Sequence, residues 1–164
     1  MAFDLDDEEN EATRIANGAS KEKEEQMNRK IKFRGKMLDS DDFVYGYYIH
    51  SELPNEIFEH KIYCADVNRL IDVKEETVGQ YTGLHDKNGK EIYEEDVVKI
   101  TNKNSKVIPI KPLIAQIVWS EEYLAYILIT TSVKDAFENL GDYIDYDIEV
   151  IGNIYDNPEL LGGE

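Results

Sequence analysis

Residues 78–100 read VGQYTGLHDKNGKEIYEEDVVKI. Two apolar-rich runs flank the polar stretch Asp86-Lys87-Asn88-Gly89-Lys90-Glu91. The fold turns on whether that stretch is a chemical site or the corner of a sheet. An Asp-x-Asn start is also a feature of calcium loops. An EF-hand loop needs acids or amides at positions 1, 3 and 5 and glycine at position 6. Counted from Asp86, position 5 is Lys90, position 6 is Glu91, and Gly89 falls at position 4, so the calcium reading fails. Asn88-Gly89 is instead a strong hairpin signal, because both residues tolerate positive φ at little cost. The stretch predicts a corner.

Working outward from that corner, the chain reads as short strands. IKFRG from Ile31 alternates apolar and basic residues. FVYGYYIH (43–50) and EIFEHKIYC (56–64) are rich in aromatic and β-branched residues, as strands are. PLIAQIVW (112–119) and YLAYILIT (123–130) are nearly continuous apolar runs separated by Ser120-Glu121-Glu122, which predicts a central buried hairpin. Trp119, Tyr126 and Ile117 are expected inside it. VKDAFENL (133–140) has helical spacing at Val133, Ala136, Phe137 and Leu140, with Gly141 as a stop. DIEVIGNIY (147–155) is a closing strand ended by Asn157-Pro158. The fold class expected is mainly β. It takes the form of a small antiparallel barrel, an SH3-like barrel being one version, or of a rolled sheet, with one short helix near 133–140. Residues 1–28 lack a hydrophobic period and read as an acidic extension, frayed or carrying a short helix capped at Asp6 or Asp7. Residues 29–164 read as the β domain.

Composition narrows the function classes. The chain has 164 residues, 41% of them hydrophobic and 32% charged, with 11 Tyr and 5 Phe to fill a small core. No run approaches the roughly 18 apolar residues of a membrane span. The N-terminus is acidic where a signal peptide is basic and then apolar. Cys64 is the single cysteine, which fits a reducing compartment. A cytoplasmic protein without membrane contact is expected, in the cytoplasm of a bacterial host. The net charge of −17 is unevenly placed. Residues 1–30 carry 9 acids and 5 bases, residues 31–119 carry 15 and 12, and residues 120–164 carry 11 acids and one base, Lys134. The last segment alone holds −10. Binding to a phosphate backbone wants the opposite sign, so no direct nucleic-acid binding is expected. A basic protein is attracted instead.

The order of residues around the corner, together with IKFRGK near the start of the domain and IEVIGNIYDNPELL at its end, resembles the YopX family of phage-encoded proteins. The resemblance covers about residues 29–161, with a loosely matched middle. It implies a virus or prophage origin and a small, mostly β fold that includes a barrel, and it brings no catalytic residues with it. The family tends to read Tyr-Glu-Gly-Asp where this chain has Tyr93-Glu94-Glu95-Asp96, and a side chain at Glu95 works against the turn that glycine takes freely.

Candidate chemistry is sparse. His60, Cys64 and Asp66 cluster in sequence, with His50 nearby. On a strand, however, His60 and Cys64 stand roughly 13 Å apart, too far to share one metal ion. No Gly-x-Ser-x-Gly elbow, phosphate-binding glycine loop or dinucleotide fingerprint occurs. No catalytic, cofactor-binding or metal-binding residue is therefore assigned, and no cofactor is expected.

The acid-tyrosine stretch GDYIDYDIEV (141–150) exceeds a bland expectation. If it is one strand, Asp145, Asp147 and Glu149 line a face at roughly 6.6 Å spacing, about half the density of phosphates along one DNA strand. Glu121, Glu122, Glu138 and Asp142 add charge if they fold alongside, and Tyr143 and Tyr146 supply rigid contact area. The bland alternative is a solvated face that keeps the protein soluble. The functional reading is a non-catalytic phage accessory protein that binds a host protein with a basic surface. In its sharpest form it is an acidic inhibitor occupying the nucleic-acid groove of an enzyme such as a defence nuclease, as an anti-CRISPR protein does. The alternatives are an oligomerising assembly module and an enzyme of unrecognised type.

Overall fold

The computed structural model describes residues 30–51, 60–102, 111–130 and 137–162. The extension expected over 1–28, frayed or helical, lies outside the described residues, and the compact unit considered below is Ile31–Glu164. Its strands are β1 (Phe33–Lys36), β2 (Phe43–His50), β3 (His60–Cys64), β4 (Arg69–Asp72), β5 (Gly79–His85), β6 (Glu91–Tyr93), β7 (Asp96–Thr101), β8 (Leu113–Ser120), β9 (Ala125–Thr130), β10 (Phe137–Asn139) and β11 (Asp147–Asn153). They form two antiparallel sheets, of order β4-β3-β2-β1-β5-β6 and β10-β9-β8-β7-β11. The mainly β expectation holds as rolled sheet rather than closed barrel.

The first sheet curls because the end of β4 returns to the end of β1. Met37 bridges Val73, the Lys74 N–H donates to the Lys36 carbonyl at 2.8 Å, and the Leu38 N–H donates to the Asp72 carbonyl at 3.1 Å. The alternation of β2 and β3 then sends Val44 and Ile62 inward, where they bury with Val73. Gly35 lets the strands meet: a Cβ there would lie 3.1 Å from the Val73 Cβ.

The second sheet carries the larger core, in which Val98, Ile100, Ala115, Ile117, Leu128, Leu140 and Ile148 pack with Ile92 from the last strand of the first sheet. The β8–β9 hairpin is central, as its apolar runs require. Ile117 is fully buried, but Trp119 is 41% exposed. Trp119 sits near the end of β8 opposite Tyr126, beyond the core, and the two rings meet edge to face at 5.1 Å.

The helix expected near 133–140 is not there in its described part. Phe137–Asn139 is strand β10, paired with Ile127–Ile129 of β9, and a 3-10 turn follows over Leu140–Tyr143. Residues 133–136 lie outside the described residues. The open edge of β9 offers a run of backbone partners that a short amphipathic helix cannot use, so sheet pairing overrides the 3.6-residue period. The Asn139 side chain caps the turn by accepting from the Gly141 N–H at 2.8 Å, and Leu140 is driven into the core.

Candidate functional site

The Asn88-Gly89 turn is the expected corner, with Gly89 at φ +83°, and it is also a clasp. The Asp86 N–H donates to the Lys90 carbonyl at 2.8 Å and the Gly89 N–H to the Asp86 carbonyl at 2.9 Å, closing the turn. Asp86 itself is buried; one carboxylate oxygen accepts from the N–H groups of Asn88 at 2.7 Å and Lys90 at 2.9 Å. The other oxygen accepts from the Val150 N–H at 3.2 Å, where β11 is bulged, and the Lys87 N–H donates to the Ile148 carbonyl at 2.8 Å. The turn therefore covers the edge of β11, which would otherwise present unpaired backbone groups. Burial pushes the Asp86 pKa up, but the N–H groups outweigh it and hold the carboxyl below its ordinary value.

A second lock joins the sheets at the turn between β6 and β7. Arg34 on β1 is buried, and its Nη1 donates to Asp96 Oδ1 on β7 at 2.6 Å. Its Nη2 donates to the Glu94 carbonyl at 2.9 Å, and the guanidinium lies over the rings of Phe43 and Tyr93 at 4.7 and 5.1 Å. Asp96 also accepts from the Tyr93 N–H at 2.8 Å. Burial pushes the Asp96 pKa up, against the pull of Arg34 and that N–H. Glu95 does take the left-handed conformation where the family tends to have glycine, with φ +68°. Its N–H donates to the Ile117 carbonyl at 2.8 Å, and its carboxylate accepts from the Gln116 amide. Burial raises the pKa of both Glu94 and Glu95. Beside them Lys36 pairs with Asp156, and burial pushes the Tyr155 phenol up to about 12. These groups hold elements together.

The sequence-predicted surface acids are not one strand face. Glu121 and Glu122 are exposed in the β8–β9 turn, and Glu138 is exposed on β10. Asp142 and Asp145 are exposed as well, in the 3-10 turn and in the bend before β11, so Asp145 is not on the strand. Asp147 and Glu149 are on β11 and share a face, opposite Thr101 and Lys99 of β7. Because β10 and β11 are opposite edges of the sheet, Glu138 lies roughly 19 Å from that pair across the strands. Glu149 is paired with Lys87 Nζ at 2.8 Å. Tyr143 and Tyr146 are half-buried, meet edge to face at 4.9 Å and pack on the core. The structure thus gathers Asp145, Asp147 and Glu149 at one edge and places Glu138 on β10 and Glu121, Glu122 and Asp142 in turns.

Of these acids Asp147 lines a cleft of about 200 Å³, together with Leu84, His85, Asp86, Lys87, Ile144, Tyr146 and Ile148. Sequence reasoning missed it because its two walls come from segments roughly sixty residues apart. His50 and His60 oppose each other on β2 and β3 with rings stacked at 4.6 Å, and Tyr48 bonds His60 Nδ1. Among the described residues no three His, Cys, Asp or Glu side chains are placed to hold a metal ion. Among them, too, no helix is long and apolar enough to cross a membrane.

The fold and its locks define a two-sheet, mainly β protein whose recognisable sequence motifs are the segments that interlock: IKFRGK supplies Arg34 and Lys36, the corner stretch supplies Asp86 and Asp96, and the closing motif supplies Val150 and Asp156. The profile of the YopX protein family matches residues 31–162, and the chain belongs to that family. No curated protein matches it. Among solved structures it is similar to protein EF1440 from Enterococcus faecalis, with 22% identity over 82% of this chain and 99% of that one and a TM-score of 0.45.

Proposed function

We propose that this protein is a non-catalytic, phage-encoded binder of a basic host protein, and that it competes with nucleic acid for a positively charged groove. The observation that carries the reading is charge separation. Residues 120–164 hold 11 acids against one base, and Glu121, Glu122, Glu138, Asp142 and Asp145 all stand exposed. Such a field steers a cationic partner and sets its association rate. The polar groups with the most perturbed environments are engaged in holding the sheets together, which supports a binding role over a catalytic one. The test replaces the five exposed acids by Gln or Asn. Exposed charges contribute little to folding, so the variant should keep its melting temperature. It should also lose the basic proteins that the wild type captures from a bacterial lysate at low salt. Capture of the same proteins by both would end this reading.

A second reading, an oligomerising module, is favoured by the outer face of the first sheet. Tyr45, Tyr47, Ile49 and Leu70 are 41%, 60%, 45% and 51% exposed there, and Tyr47, Tyr63 and Leu70 line up across β2, β3 and β4. Sedimentation of the full chain distinguishes it: a concentration-dependent oligomer abolished by Tyr47→Lys supports assembly, and a monomer at every concentration excludes it.

A further inference from the structure

We propose that the cleft between the Asp86–Lys90 turn and residues 144–148 receives one arginine side chain of the basic partner, its guanidinium against the Tyr146 ring and paired with Asp147. The inference rests on the proposed function and names the contact through which that binding is selective.

Size comes first. About 200 Å³ is below the roughly 300–1,000 Å³ of sites for cofactors and drug-sized ligands, and suits one long side chain. Leu84, Ile144 and Ile148 supply an apolar strip in an otherwise polar lining, and Ile144 is 62% exposed at the rim. An arginine buries its alkyl stem along such a strip while its charged head stays at the mouth.

Charge selects the occupant. Asp147 lines the cleft and Asp145 is exposed next to it. The lysine of the lining, Lys87, pairs with Glu149 Oε2 at 2.8 Å. Its ammonium already reports the local field, since the bond from Glu149 and the charges of Asp147 and Asp86 hold its pKa above the ordinary value. With that one cation set against Asp86, Asp145, Asp147 and Glu149, the mouth still carries more negative than positive charge and attracts a further cation at the Asp147 side, away from Lys87. Tyr146 then discriminates between cations: a planar guanidinium stacks on an aromatic face, whereas a compact, strongly hydrated ammonium gains less there. Arginine is also the side chain that holds phosphates in two-pronged fashion, so a cleft that captures one disables a nucleic-acid contact directly.

The test titrates hexa-arginine and hexa-lysine peptides into the full chain with labelled methyl groups, at low salt. Shifts should converge on Leu84, Ile144 and Ile148, and hexa-arginine should bind the tighter. Tyr146→Leu, which keeps apolar volume, and Ile144→Ser, at an exposed rim, should each weaken hexa-arginine about two- to five-fold and reduce its advantage over hexa-lysine. Asp147→Asn should weaken both peptides. Methyl signals of Val44 and Ile62, in the separate core of the first sheet, report that each variant is folded. Salt-sensitive binding whose shifts centre instead on the hairpin turn at Glu121 and Glu122, or equal affinity for the two peptides, would overturn the cleft and leave the acidic-surface reading standing. Binding of neither peptide at low salt would remove both.

Discussion

Asp96→Ala should be among the most damaging single changes in this protein. Arg34 and Asp96 have side-chain exposures of only 5% and 1%, and their charged atoms meet at 2.6 Å. Removing the carboxylate strands a guanidinium away from water and leaves the Tyr93 N–H without its acceptor. Removing one partner of a buried pair costs about 3–5 kcal/mol, a large part of the roughly 5–15 kcal/mol that holds a domain folded. The melting temperature should fall by roughly 10–20 °C. Replacing both partners by apolar residues is far milder in general, so Arg34→Met with Asp96→Leu should lose less than the sum of the single losses, by about 2–3 kcal/mol. Urea unfolding of the full chain at neutral pH, followed by circular dichroism, measures Asp96→Ala and the four corners of the Arg34→Met and Asp96→Leu cycle. A loss under about 1 kcal/mol for Asp96→Ala, with strictly additive effects, would refute the claim that this pair locks the sheets.

Two further outcomes follow from the other polar contacts. Asp86→Ala deprives the N–H groups of Asn88, Lys90 and Val150 of their acceptor, so it should cost about 1–3 kcal/mol and speed amide hydrogen exchange along β11. Because the folded pKa of Asp86 is depressed, its contribution is present above the unfolded value of about 3.9 and lost as pH falls through the folded value. The Asp86→Ala and wild-type stability curves should therefore converge in acid; a gap that persists unchanged would count against the clasp. Glu95 has the opposite sign. Its pKa is raised by burial, so the folded protein binds its proton first and stability falls as pH rises from about 4.3 through the folded value. Glu95→Gln should flatten that slope relative to wild type, and Glu95→Gly should also relieve the positive φ, worth about 1 kcal/mol. A slope that Glu95→Gln leaves unchanged, or a Glu95→Gly variant that melts earlier, contradicts the account.

What was legible in the sequence is what local chemistry decides. Asn88-Gly89 announces its own turn, and the aromatic and β-branched alternation of FVYGYYIH announces a strand whichever partner it finds. The spacing of 133–140 suited a helix, but the described part is settled by the open edge of β9, which no local period reveals. Trp119 sits in an apolar run, yet its place near a strand end leaves it beyond the core. The acids of 141–149 line one face only if the segment is a single strand. Asp145 instead falls in the bend, and sheet order puts Glu138 on the far edge. The two locks join partners 62 and 64 residues apart, Arg34 to Asp96 and Asp86 to Val150. Arg34 is in step with Lys32 and Lys36 in the alternation of IKFRGK, so nothing local marks the first lock.

The central functional claim is competition with nucleic acid, and one measurement reaches it directly. The basic protein captured from a bacterial lysate is purified, bound to fluorescently labelled DNA, and titrated with the full chain at low salt while polarisation is followed. The account predicts that DNA is displaced as the protein is added and that displacement weakens as salt screens the acidic surface. It also predicts that the variant lacking the five exposed acids displaces none. A stable ternary complex of both proteins with DNA, or displacement that the five substitutions leave intact, would contradict it.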